Sequence, residues 1–152
     1  MTDTSDSEVL YHRLIAGWNQ GDAEAMASCF GPTGTMIGFD GSTVSGPAAI
    51  RDHLAPILEA HPTAAFVVEL RERRVLVPGV TLLRAIAGMV PPGTVDLNPA
   101  VNAVQTLVAT LHGDTWQVEL FQNTPAAYHG RPEEQEAHTE ALRAVLRANP
   151  LA

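Results

Sequence analysis

The stretch EVLYHRLIAGWNQGDAEAMASCF, Glu8 to Phe30, decides the fold because it holds a helix, a stop and a second helix. Val9, Leu14, Ile15 and Trp18, with Tyr11 beside them, fall mostly on one stripe of a helix spanning Glu8 to Gln20. Gly21 suits the left-handed backbone that closes a helix, and Asp22 can cap the first free amides of the next. That next helix, Ala23 to Phe30, is short and half apolar. Two helices folded back this tightly need a core shared with something downstream. The chain continues with a hairpin, a third helix and a run of β segments, an order that predicts a helical cover over a curved sheet, able to enclose a ligand.

Working outward, Thr35 to Phe39 and Ser42 to Ser45 read as a hairpin turning at Asp40-Gly41. Gly46-Pro47 opens the third helix with proline in its first turn. It carries Ile50, His53, Leu54, Ile57 and Leu58 on one side and ends before His61-Pro62; Pro56 inside it should bend or shorten it. Ala64 to Val77 and Val80 to Val90 form one long hairpin. After Pro91-Pro92-Gly93 and Asp96 to Pro99, Ala100 to Leu111 and Thr115 to Asn123 form another. Glu133 to Arg147 is a last helix with a modest apolar stripe, and Met1 to Ser7 reads as a frayed start. The class is α+β, with the helices expected on one face of the sheet. Residues 8–127 form the domain and residues 128–152 a C-terminal extension.

Composition narrows the function. Of 152 residues 45% are hydrophobic, the net charge is −8 and every basic residue is arginine, so nucleic-acid binding, which needs a basic face, is disfavoured. Arg71, Arg73 and Arg74 read as the solvated end of a strand. Cys29 stands alone, beside Phe30, as an inert core thiol. No leader and no apolar run of membrane-spanning length is visible, which gives a cytoplasmic protein with no membrane partner as the expectation. The six histidines show no paired spacing and have no cysteine partners, so no metal site is expected, and no nucleotide or other cofactor motif is present.

The order of elements, with Leu14, Trp18-Asn19, Gly21-Asp22, Phe30, Gly46, Ile50, Gly113, Trp116 and Gln122-Asn123-Thr124, resembles the nuclear transport factor 2-like cone fold. That superfamily includes ketosteroid isomerases and SnoaL-like polyketide cyclases. A narrower resemblance is to the SgcJ/EcaC-type subgroup, found in enediyne antibiotic biosynthesis. It rests on Phe39-Asp40-Gly41, Gly88 to Gly93, Asn98 to Gln105, Asn123 to Ala126 and His129 to Pro132. The fold implied is a cone-like curved mixed or antiparallel sheet with the N-terminal helices over its concave face. Against the ketosteroid isomerase pattern the catalytic tyrosine position holds Leu14 and the general-base position falls on Gly38. No acidic residue lies between Asn98 and His112 to complete an oxyanion hole. The chain is not a ketosteroid isomerase.

In such a cone, strand alternation and helix spacing select the residues that look inward. His53 is the candidate acid or base, the other reading being a histidine on a helix rim. Arg84 lies in an apolar strand and needs a carboxylate, Asp40 or Glu119, as an anion clamp or as a structural pair. Leu14, Trp18, Met36, Ile57, Ile86 and Phe121 are candidate ligand walls as well as core. Gln105 and Asn123 can orient a polyketide carbonyl or satisfy bulged backbone. Asp96 and Asn98 read as loop caps. Val104, Val108, Trp116, Val118 and Leu120 are placed on the convex face as a homodimer surface. Pro125 to Pro132 should cross a cavity mouth or the dimer partner. The resemblance implies an accessory protein of enediyne or polyketide biosynthesis that holds an apolar polyene and assists cofactor-free cyclisation, isomerisation or hydration. The alternatives are a non-catalytic carrier and an epoxide-hydrolase-like enzyme using Arg84 with Asp40 or Glu119.

Overall fold

The computed structural model describes residues 3–60 and 62–151. Met1, Thr2, His61 and Ala152, which the readings of the frayed start, the histidines and the extension include, lie outside the described residues. Among the described residues, four α-helices and six strands follow one another in the order α1 (Ser5–Asn19), α2 (Ala23–Ala27), β1 (Phe30–Ile37), β2 (Thr43–Ser45), α3 (Pro47–Ala60), β3 (Ala65–Val77), β4 (Val80–Val90), β5 (Ala103–His112), β6 (Thr115–Pro125) and α4 (Pro132–Ala148). The strands make one unclosed sheet in the order β2-β1-β6-β5-β4-β3, antiparallel throughout except for the β1–β6 pair. This is the expected α+β class.

The break after α1 has the chemistry its residues suggest. Gly21 adopts φ +69°, and Asp22 Oδ1 accepts the Ala25 N–H at 3.0 Å. Trp18 Nε1 donates to Ala64 O, while the Asn19 amide accepts from Phe66 N–H at 2.8 Å and donates to Phe66 O at 3.1 Å. α2 ends three residues earlier than expected because the Cys29 carbonyl is taken by the Val118 N–H, which draws the chain into β1. β5 starts at Ala103, not Ala100: Pro99 has no N–H to give a ladder, and Asn98 Oδ1 caps Ala100 of a 3₁₀ turn, Pro99–Val101.

The main core lies between the helices and the concave face, where Tyr11, Leu14, Ile50 and Leu54 meet Leu83, Ala85, Leu107 and Phe121. Cys29 is fully buried there, and burial pushes its thiol above the ordinary range. The expectation that all helices share one face is corrected: α4 covers the other face, where Leu142 packs on Val67, Ile86, Val90 and Leu97. Gly88 permits this approach, since a Cβ there would lie 2.8 Å from Leu142 Cδ1. Polar contacts fix the docking. His138 Nε2 lies 2.9 Å from Ala87 O and its Nδ1 2.7 Å from Tyr128 Oη; Asn102 Nδ2 donates to Thr139 Oγ1, and Gln135 Nε2 to Pro99 O.

Register assigns the faces, because residues paired across a ladder point the same way. Ala103, Gln105 and Leu107 of β5 face the helices and pair with Ala87, Ala85 and Leu83. Arg84, Ile86 and Gly88 are therefore on the convex face, opposite to the sequence reading. Asn123 and Phe121 of β6 pair with Gln105 and Leu107, but then Leu120 pairs with Val108 and Val118 with Ala109. That bulge skips Glu119 and reverses the parity beyond it. Val118 and Trp116 thus pack into the concave core, not onto the convex face, which keeps Val104, Val108 and Leu120.

Candidate functional site

A cavity of about 360 Å³ lies between the helices and the concave face. Trp18 and Met26 of α1 and α2, with Phe66, Met89, Val101 and Phe121 of the sheet side, supply its apolar wall. Met36 and Ile37 end β1 on the wall, and Gly38, Phe39 and Asp40 of the next turn border it. α3 contributes His53, Leu54 and Ile57, set on one side by their 1-2-5 spacing. Phe39 and Ile57 are 39% and 38% exposed, so the cavity opens between the hairpin turn and α3.

Two polar features stand on this wall. At the opening, Asp40 Oδ1 accepts the Ser42 N–H at 2.9 Å. That backbone bond, with the Ser42 hydroxyl and the nearby His53, holds the Asp40 carboxyl below the usual range and keeps it ionised at neutral pH. Further along the wall is Asn123, whose Oδ1 is 3.3 Å from Gln105 Nε2; Gln105 Oε1 accepts the Tyr11 hydroxyl at 2.6 Å. Tyr11 is buried among apolar neighbours, and burial pushes its phenol well above the ordinary range, so it remains a neutral donor. An opening lined by an imidazole and a carboxylate can exchange protons with solvent. The amide inside can bind one polar atom of an otherwise apolar ligand.

Of the residues selected from sequence, the structure brings His53, Asp40, Trp18, Met36, Ile57, Phe121 and Asn123 to this cavity. The others are elsewhere. Arg84 is on the convex face, paired with Glu72 across the ladder, and its side chain is half exposed. Ile86 belongs to the core under α4. Glu119 sits at the bulge, bonded by the Thr33 hydroxyl. Leu14 is fully buried packing, and Gln105 lies behind Asn123 without reaching the wall. Pro125 to Pro132 does not line the opening; it carries the chain to α4, with Tyr128 on His138. Asp96 and Asn98 do cap their loop. Among the described residues no three His, Cys, Asp or Glu side chains converge as metal ligands, and no helix is long and apolar enough to cross a membrane.

The sequence reading missed Tyr11 as a polar partner. A signal was available: a phenol inside the Leu14–Trp18 stripe and a glutamine inside an apolar strand both need buried partners, and each can satisfy the other.

Solved structures share this fold. A Nostoc punctiforme domain with a cystatin-like fold is 22% identical, with a TM-score of 0.76 over 97% of this chain and 96% of that one. A Caulobacter vibrioides protein with a cystatin-like fold is 21% identical, with a TM-score of 0.70 over 87% and 98%. An NTF-2-like protein from Shewanella oneidensis is 17% identical, with a TM-score of 0.61 over 80% and 98%. None of the curated proteins matches the sequence. The chain has the cystatin-like, NTF-2-like fold, and over residues 11–79 it is similar to the SnoaL-like domain.

Proposed function

We propose that the protein encloses an apolar small molecule of the polyketide kind in this cavity and moves a proton on it. The observation that carries this reading is the make-up of the wall: aromatic, aliphatic and thioether side chains, one buried amide at Asn123, and His53 and Asp40 at the opening. Burying a hydrocarbon frame supplies affinity, while the amide meets a carbonyl. His53 then takes a proton from the carbon beside that carbonyl, and Asn123 binds the oxygen as charge develops on it. Return of the proton to a conjugated carbon completes an isomerisation; its delivery to a newly closed ring's alkoxide completes a cyclisation. Asp40 stabilises the imidazolium in between.

Similarity to the SnoaL-like domain supports polyketide-cyclase-type chemistry or ligand binding. The finer assignment, an accessory role in enediyne biosynthesis with a linear polyene as ligand, rests on the resemblance of Gly88 to Gly93, Asn98 to Gln105, Asn123 to Ala126 and His129 to Pro132. These segments provide Gly88 under Leu142, Asn102 on Thr139, the Gln105–Asn123 contact and the turn into α4. A carrier role is the second reading, favoured by Met26, Met36 and Met89, whose flexible thioethers let one wall adapt to different shapes. The epoxide-hydrolase-like alternative loses its acid–base pair, since neither Arg84 nor Glu119 reaches the cavity.

His53→Phe separates the two readings, because it keeps an aromatic ring and removes the titrating nitrogens. Uptake of a hydrophobic fluorescent probe should survive, and product yield in a complemented polyketide pathway should fall by about 10² to 10⁴. A yield within about threefold of wild type would refute proton transfer by His53 and leave the carrier.

A further inference from the structure

An asparagine on a cavity wall offers a donor or an acceptor according to how its amide is turned. The side chains behind Asn123 decide which. Tyr11, Gln105 and Asn123 are each at least nine-tenths buried, with 1%, 1% and 9% exposure. Among the described residues the Tyr11 hydroxyl has one hydrogen-bond partner, Gln105 Oε1. A buried phenol with a single partner must donate to it, because accepting would strand its own proton among apolar groups. Gln105 is thereby turned with its carbonyl toward Tyr11 and its NH₂ toward Asn123 Oδ1. Asn123 has its oxygen engaged, and its Nδ2 has no hydrogen-bond partner among the described residues.

We propose that Tyr11, which does not reach the cavity, is the positioning residue that fixes Asn123 as a hydrogen-bond donor, so that the cavity selects ligands placing a carbonyl oxygen there over isosteric hydrocarbons. The inference rests on the cavity being a ligand site. It adds the sense of the amide and the residue that sets it. The sense matters chemically: an N–H at this point attracts an oxygen gaining negative charge, whereas a turned amide would present its own carbonyl and repel it. Without the Tyr11 hydroxyl, either face of the Gln105 amide meets the same apolar ring. The two orientations then become close in energy and Asn123 loses its fixed sense.

The test compares two naphthalene probes of nearly equal shape, one bearing an acetyl group and the other an isopropenyl group, titrated into the intact wild-type chain and its variants. Wild type should prefer the acetyl probe by about fivefold to tenfold, the worth of one neutral hydrogen bond. The probe's carbonyl stretch should move to lower frequency on binding. In Tyr11→Phe both the preference and the frequency shift should be largely lost, as in Asn123→Leu, while the isopropenyl probe binds as before. Where Tyr11→Phe does not fold, Gln105→Met interrupts the same chain from its middle and should give the same losses. Retention of the preference and the shift in Tyr11→Phe or Gln105→Met overturns the proposal. Equal binding of both probes by wild type, with no carbonyl shift, overturns it while leaving the cavity a ligand site. Binding of neither probe removes the ligand-site reading and this inference with it.

Discussion

Replacing Gly88 with alanine puts a methyl group 2.8 Å from Leu142 Cδ1, 2.9 Å from Leu97 Cδ2 and 3.2 Å from Asn102 Oδ1. The two leucine tips can turn aside in part, but Asn102 is held through its bond to Thr139. Overpacking of this kind costs about 1–3 kcal/mol. The reduced freedom of the unfolded chain returns about 0.4–1 kcal/mol of that. A net loss of about 1–2 kcal/mol lowers Tm by roughly 2–8 °C in a chain of this size. Leu142→Ala alone is expected to cost about 2–5 kcal/mol, because the side chain is fully buried between α4 and the sheet. It also removes the nearest of the three atoms that the alanine at position 88 would strike. In the double variant the closest contact is gone while Leu97 and Asn102 stay, and Leu97 can turn into the vacated space, so the Gly88 change should cost less than in the wild type and the pair should couple by about 1 kcal/mol. Urea or thermal unfolding of the wild type, both single variants and the double variant measures this cycle. Additive losses, within about 0.5 kcal/mol, would falsify the placement of α4 over Gly88.

Acid should loosen the same helix. Burial lowers the folded-state pKa of His138, so its contribution is fully present above the unfolded value of about 6.5 and is lost as the pH falls through the lower folded one. The drop in Tm between neutral and mildly acidic buffer should therefore shrink in His138→Gln, with a remainder from His12, whose pKa burial also lowers. Arg84→Met should leave probe uptake unchanged and cost about 1–3 kcal/mol, since it strips the partner from a buried oxygen of Glu72; loss of uptake would return Arg84 to the cavity. We further propose a dimer across the convex face. Val108→Arg should give monomers in sedimentation at micromolar concentration, whereas Val118→Arg should fail to fold, since Val118 is fully buried in the core of the single chain.

The helix break, the strand segments and the α+β class are legible because each is set by local chemistry: Gly21, Asp22, Asp40-Gly41, Pro47 and Pro91 act within a few residues of themselves. Facing is not. β4 is apolar on both sides, since the N-terminal core covers Leu83 and Ala85 while α4 covers Ile86 and Val90. A strand buried twice has no polar alternation to read, and its one charged residue, Arg84, then reads as an inward group. On β6 the alternation is visible, but the single unpaired Glu119 inverts everything before it, and nothing in Trp116 to Leu120 announces a bulge. Helix-borne candidates fare better, because the 3.6-residue period carries no such parity error: His53, Ile57 and Trp18 reach the cavity, and Leu14, on the same stripe, packs in the core instead. Tyr11 escapes notice for a different reason, since its role depends on Gln105, ninety-four positions away.

The amide of Asn19 has a consequence for how the chain behaves in a crowd. β3 is thirteen residues long and lies at one end of the strand order, so its outer backbone groups could template another molecule's strand. By accepting from Phe66 N–H and donating to Phe66 O, Asn19 occupies those groups as a neighbouring strand would, with Trp18 beside it on Ala64 O. Farther along the same edge, Glu69, Arg71, Arg73 and Arg74 make stacking of copies electrostatically awkward. The dipeptide Trp18-Asn19 therefore guards the start of this edge against edge-to-edge self-association, and a chain lacking the Asn19 amide would leave the Phe66 backbone groups free to pair with another strand.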